Sequence, residues 1–102
     1  MKDMLATPCA EMCYELGTYF LMQEDYSEAA LWFYNAAYET ESILDPHTSG
    51  DLPLLGLAEC YSFLIEQEKK QLTPDPTRIM RYEEEFEKYR TASRNWKLPE
   101  EA

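Results

Sequence analysis

The sequence predicts an all-α protein of about four helices. Three observations point there. Apolar residues recur at helical spacing along nearly the whole chain. Glycine occurs only at Gly17, Gly50 and Gly56, too sparse for a many-turned β fold or a glycine-rich phosphate loop. The clearest loop chemistry falls in two places, Asp45-Pro46 to Ser49-Gly50 and Leu72 to Pro76.

Thr7 followed by Pro8 reads as an N-cap and first helical position. Met12, Leu16, Tyr19 or Phe20, and Met22 carry that helix to about residue 23. Gln23-Glu24-Asp25 breaks it, and Asp25 with Glu28 resembles a capping box for the second helix. Ala29, Trp32, Phe33, Ala36, Ala37 and Tyr38 continue the second helix to about Ile43. Residues 44–51 form a loop, and Asp51 caps a third helix that tolerates Pro53 in its first turn. Leu54, Leu57, Ala58, Tyr61, Leu64 and Ile65 form its apolar stripe, and the polar run 66–71 either continues it or frays. Pro74 and Pro76 exclude a helix across residues 72–76. Asp75 caps the last helix, with Ile79, Tyr82, Phe86, Tyr89 and Trp96 on its buried side and Glu83, Glu84, Glu85 and Glu87 mostly outside. The result is one domain: a hairpin over about 8–43, a loop at 44–51, a second hairpin over about 52–96, and a tail at 97–102.

Charge narrows the function classes. The 102 residues carry 20 acidic and 9 Lys or Arg side chains, for a net charge of −11. Residues 1–68 hold thirteen acids and one base, whereas residues 69–102 hold seven acids and eight bases. Phosphate binding needs clustered Lys and Arg, so nucleic acid is excluded as the expected partner. An acidic half beside a balanced half fits a basic partner surface or serves solubility. No apolar run is long enough to span a membrane, and the N-terminus lacks a signal-peptide apolar stretch. Three cysteines without framework spacing fit reduced thiols in a cytoplasmic protein.

An internal repeat is present. The first hairpin carries Leu16-Gly17, Phe20, Asp25-Tyr26, Ala29, Phe33 and Ala36, and Leu57-Ala58 and Tyr61 take the places of Leu16-Gly17 and Phe20 in the third helix. Gly17 and Ala29 are small where two helices approach, and Phe33 and Ala36 fill the contact with the next helix. This pattern resembles the tetratricopeptide repeat. The second copy departs from it, with Lys70 and Pro74 where a small residue and an aromatic belong. The resemblance implies two antiparallel hairpins in a right-handed α-α superhelix, with the last helix as a cap. Cys13-Tyr14-Glu15-Leu16-Gly17, Trp32 to Glu39 and Pro53 to Tyr61 further resemble the repeat-containing tail of bacterial family 2 glycosyltransferases. That family's catalytic part is a separate α/β domain with acidic metal-binding motifs, which 102 residues cannot hold. The resemblance therefore implies a non-catalytic module cut from, or related to, a larger enzyme; no cofactor or metal is expected.

Residue constellations for chemistry are weak. Cys9, Cys13, Cys60 and His47 match no standard metal-site spacing. Glu24-Asp25 and Glu83 with Glu87 read as solvated charge, and His47 in a loop makes a poor base for a cysteine nucleophile. Trp32, Phe33, Tyr34, Tyr38 and Trp96 read as core more than as sugar-stacking rings. The repeat positions imply a groove lined by Glu11, Tyr14, Thr18, Leu21 and Met22 from the first hairpin and Leu55, Glu59, Ser62 and Phe63 from the second. Tyr and Met adapt to varied contacts, and Glu11 and Glu59 can accept basic side chains. The absence of basic residues there argues against capture of acidic C-terminal peptides. The expected function is a protein-interaction or scaffolding module for a protein or peptide, basic in character. The alternative is an accessory C-terminal segment of a glycosyltransferase, supporting assembly or acceptor access. Two hairpins leave apolar end faces, so the expectation includes a homodimer or packing on a parent catalytic domain.

Overall fold

A computed structural model describes residues 8–101. The architecture is all-helical, with no strand among the described residues. Four α-helices follow in order: α1 (Ala10–Met22), α2 (Tyr26–Tyr34), α3 (Asp51–Lys69) and α4 (Pro76–Asn95). Each packs chiefly on its neighbour in sequence.

Helix α1 begins at Ala10, so Pro8 lies before the helix, and Thr7 lies outside the described residues. Cys9 occupies the N-cap position and gives no side-chain cap. A long-range bond takes its place: the Ala10 N–H donates to the Glu41 carbonyl at 3.1 Å. The C-terminus closes as a Schellman motif. The Asp25 N–H donates to the Phe20 carbonyl at 2.9 Å and the Glu24 N–H to the Leu21 carbonyl at 3.0 Å. Glu24 adopts the left-handed conformation, φ 62°, that usually selects glycine.

Asp25 caps α2 as expected, accepting the Glu28 N–H at 3.3 Å. The second helix does not run to Ile43. It widens at Asn35 into a π-helical turn (Asn35–Glu39) and stops. The Thr40 hydroxyl donates to the Asn35 carbonyl at 3.1 Å and to the Ala36 carbonyl at 3.4 Å, occupying carbonyls at that end. Within the following loop, Pro46–Ser49 form a 3₁₀ turn whose start is capped by the Asp45 carboxylate.

Asp51 is not the cap of α3. Gly50 holds that position, and Asp51 is the first helical residue, its carboxylate 2.8 Å from His47 Nδ1. The polar run continues α3 to Lys69. Its Glu68 carboxylate accepts the Asp75 N–H at 3.0 Å and lies 3.6 Å from the Arg78 guanidinium, which fixes the turn into α4. Asp75 caps α4 by accepting the Thr77 and Arg78 N–H groups.

The main core joins Ala29, Ala30 and Phe33 to Leu54, Leu57, Ala58, Cys60 and Tyr89. Phe33 is its centre. Cβ atoms built at Gly17 and Gly56 would lie 2.7 Å and 3.0 Å from the Phe33 ring, so the glycines leave space for it on two sides. The repeat pattern sets Ala58 in the place of Gly17; Ala58 is buried, but the approach to this ring falls at Gly56. A smaller cluster of Ala10, Cys13 and Ala36 joins α1 to the π-helical turn. Trp96 covers Gly50, and Ser93 donates to the Asp51 carbonyl at 3.2 Å, so the end of α4 is locked to the start of α3. The molecule measures 48 × 35 × 19 Å. Its thin dimension is roughly two helix diameters, so helices bury one stripe and leave another at the surface. Among the described residues no helix is long and apolar enough to cross a membrane.

Candidate interaction surfaces

The residues expected to line one groove are placed in different surroundings. Glu11 is engaged within the chain. Its carboxylate accepts the Ser42 hydroxyl and the N–H groups of Ile43, Leu44 and Asp45. The Ser42 hydroxyl first, and then the Ile43 and Leu44 N–H groups, hold its carboxyl down at about 2. Tyr14 is half-buried with its ring 5.5 Å from that of Phe33. The Thr18 hydroxyl donates to the Tyr14 carbonyl within α1. Leu21 packs on the main core, and Met22 is 76% exposed beside the helix end. Phe63 stacks on Tyr26 at 4.7 Å, joining α3 to the start of α2.

Leu55, Glu59 and Ser62 do come together. They line a depression whose other wall is α4, through Phe86 and Arg90. Ser62 and Phe86 also line the next depression, a space of about 500 Å³ with Ile65, Glu66, Lys69, Glu83 and Glu87. The two form one groove between α3 and α4. Along α3 it runs from residue 55 to residue 69, about 20 Å at the helical rise of 1.5 Å per residue. Apolar groups make its floor: Ala58, Ile65 and Phe86. Carboxylates stand on both walls, Glu59 and Glu66 on α3 and Glu83 and Glu87 on α4. Arg90 pairs with Glu87 at 2.8 Å and lies 5.7 Å from the Phe86 ring centre, so one of these acids is compensated locally.

Of the α3 residues expected together, Leu55, Glu59 and Ser62 share this depression and Phe63 does not, and its α4 side was not expected. The missing signal is the spacing of residues 83, 86, 87 and 90, which share one side of a helix. Glu83 and Glu87 are exposed as expected, but they also border this groove.

A second surface lies where α2, α3 and α4 meet. Tyr34 and Tyr38 are 41% and 48% exposed, which corrects their reading as core residues. They begin a chain of phenol rings. Tyr34 and Tyr38 are 4.8 Å apart between ring centres, Tyr38 and Tyr89 6.4 Å, Tyr89 and Tyr61 5.9 Å, and Tyr61 and Tyr82 5.9 Å. Tyr34, Tyr61 and Tyr89, with Ser27, Leu31 and Leu57, surround a depression of about 340 Å³. Burial first, and then nearby charges including the Glu85 carboxylate, push the hydroxyls of Tyr38, Tyr61 and Tyr89 up, so all three stay neutral at physiological pH.

Burial raises the Cys13 thiol and pushes that of Cys60 up to about 12, which leaves both as packing groups. His47 lies instead beside Asp51 and the Trp96 ring. No three His, Cys, Asp or Glu side chains converge as metal ligands among the described residues. No protein-family model, curated protein or solved structure matches the chain.

Proposed function

We propose that this chain is a non-catalytic interaction module of tetratricopeptide-like hairpins. It presents the α3–α4 groove to an amphipathic, basic segment of a partner protein. The observation that carries the reading is the groove itself, an apolar floor between two carboxylate-bearing walls. Such a groove favours a helix with an apolar stripe flanked by Lys and Arg. Net charge −11 adds long-range attraction for that partner. The three free cysteines support work in a reducing, cytoplasmic setting.

Calorimetric titration with a fifteen-residue Leu/Lys amphipathic peptide tests the reading. Saturable binding that weakens with added salt and falls at least tenfold in Glu66→Lys/Glu83→Lys supports it. Equal binding to that variant, or to a Leu/Glu peptide, overturns it.

The sequence resemblance supports a second placement, as an accessory segment of a bacterial family 2 glycosyltransferase. The groove would then receive the parent enzyme's own surface. Transferase activity that persists without this segment would remove that placement and leave the first reading intact. A second copy of the chain is the remaining occupant. Light scattering that shows a dimer dissociated by the Leu/Lys peptide would identify it.

A further inference from the structure

Helices α2 and α4 both pack on α3 rather than on each other, and a cleft remains between them. Helix α3 supplies its floor through Leu57 and Tyr61. On the α2 side, Ser27, Leu31 and Tyr34 share one face of the helix, and the Tyr38 ring continues the row. Leu31, Tyr34 and Tyr38 all remain exposed. Isolated apolar residues at a surface are ordinary, whereas a contiguous row marks a contact surface.

The two sides of the cleft differ in charge. Lys2 is the only Lys or Arg before Lys69, so α2 and its π-helical end carry acids alone, Glu28 near Leu31 and Glu39 after Tyr38. On the α4 side, Arg81 lines the depression that Tyr61 and Tyr82 share with Glu84 and Glu85. The Lys88 ammonium stands 5.1 Å from the Tyr89 ring centre. Among the described residues no ion pair within 4.0 Å engages either cation. Both flanking helices run antiparallel to α3: Phe63 meets Tyr26 and Gly56 meets Phe33, just as Glu68 meets Arg78 and Asp51 meets Ser93. They therefore run in the same direction. Tyr38 is level with Tyr89, which places Glu28 roughly level with Arg81, each about two to three turns earlier.

An acid-flanked apolar row is repelled by the α3–α4 groove, whose walls bear Glu59, Glu66, Glu83 and Glu87. It matches the α4 side of the same cleft on a second copy of the chain. A twofold axis running along the cleft makes that match twice, because it sets α2 of each copy against α4 of the other. We propose that the α2–α4 cleft is a homodimer interface, with Leu31 and Tyr34 packed across it and Glu28 facing the partner's Arg81. The α3–α4 groove stays open in such a dimer, so this inference stands apart from the peptide reading.

The test is light scattering and sedimentation of the chain from about 10 μM to about 1 mM, where a small interface of this kind gives a monomer–dimer equilibrium. Tyr34→Lys, at an exposed ring, should weaken association about tenfold or more while circular dichroism shows the helices intact. Glu28→Lys and Arg81→Glu should each weaken it, because each sets like charges opposite one another. An equimolar mixture of those two variants should restore association, because both cross-contacts of the mixed dimer then pair opposite charges. A monomer throughout the range overturns the proposal. So does a dimer unchanged by Tyr34→Lys, or a mixture that associates no better than either variant alone. Dissociation of the dimer by the Leu/Lys peptide also overturns it, because that places the contact in the α3–α4 groove.

Discussion

Phe33 and Gly17 should be strongly coupled in stability. A Cβ at position 17 would lie 2.7 Å from two carbons of the Phe33 ring, which no side-chain rotation of an alanine can relieve. In the wild-type chain, Gly17→Ala gains about 1 kcal/mol of helix propensity and loses about 1–3 kcal/mol to overpacking. The net is neutral to destabilising by about 2 kcal/mol. Phe33 is among the largest fully buried side chains, so Phe33→Ala alone should cost about 3–5 kcal/mol. That is a large share of the roughly 5–15 kcal/mol expected for a domain. Once the ring is gone, Gly17→Ala loses its clash and fills part of the void, so it should stabilise by about 1 kcal/mol. The sign of the same substitution reverses between backgrounds, with a coupling of about 1–3 kcal/mol. Urea titrations of the four proteins, followed by circular dichroism at low temperature, measure it. Additivity within about 0.5 kcal/mol would show that the ring does not occupy the space left by the glycine.

Other expectations rest on single sites. Glu24→Gly should raise stability by about 0.5–1 kcal/mol in the same urea assay, because glycine accepts φ 62° without steric cost. Glu11 is held down at about 2, below its unfolded value, so its stabilisation is fully present above the unfolded pKa and is lost as pH falls through about 2. The difference in thermal midpoint between wild type and Glu11→Gln should therefore shrink as pH drops from neutral to 2; a constant difference would deny the carboxylate its role in the loop. Trp96→Ala should cost about 2–3 kcal/mol, below the full-burial range, because the ring is half-buried against Gly50. Under native conditions a thiol reagent should modify Cys9 well before Cys13 or Cys60, which are buried, and Cys60 should react only on unfolding.

The number and order of helices were legible because local signals agreed with one another. Asp25 and Asp75 cap the helices they precede, and Pro74 and Pro76 mark the break between α3 and α4. The starts and stops set by distant partners were not legible. Ala10 opens α1 because Glu41 accepts its N–H, and no neighbouring residue signals that. Glu11 looks like a free acid in the sequence because its four donors lie more than thirty residues away. The surfaces divide in the same way. Leu55, Glu59 and Ser62 were readable as one stripe on α3, but the wall opposite depends on how α4 lies across it. Tyr34 and Tyr38 have the spacing of core residues. In a molecule only 19 Å thick, both lie at the surface.

The π-helical turn at Asn35–Glu39 sets the rotational phase of the chain beyond it. A π turn holds roughly one residue more than an α turn, and one residue corresponds to about 100° of rotation around an α-helix. Winding this segment as an ordinary α-helix at the same length would carry every later residue about 100° around the axis. Tyr38 would swing away from Tyr89, and Thr40 would lose the two carbonyls it now bonds. The wide turn absorbs the extra residue, so deleting one residue restores an α turn with the phase kept, whereas an added residue has no such outlet. A scan of single-residue deletions against insertions would expose that asymmetry directly.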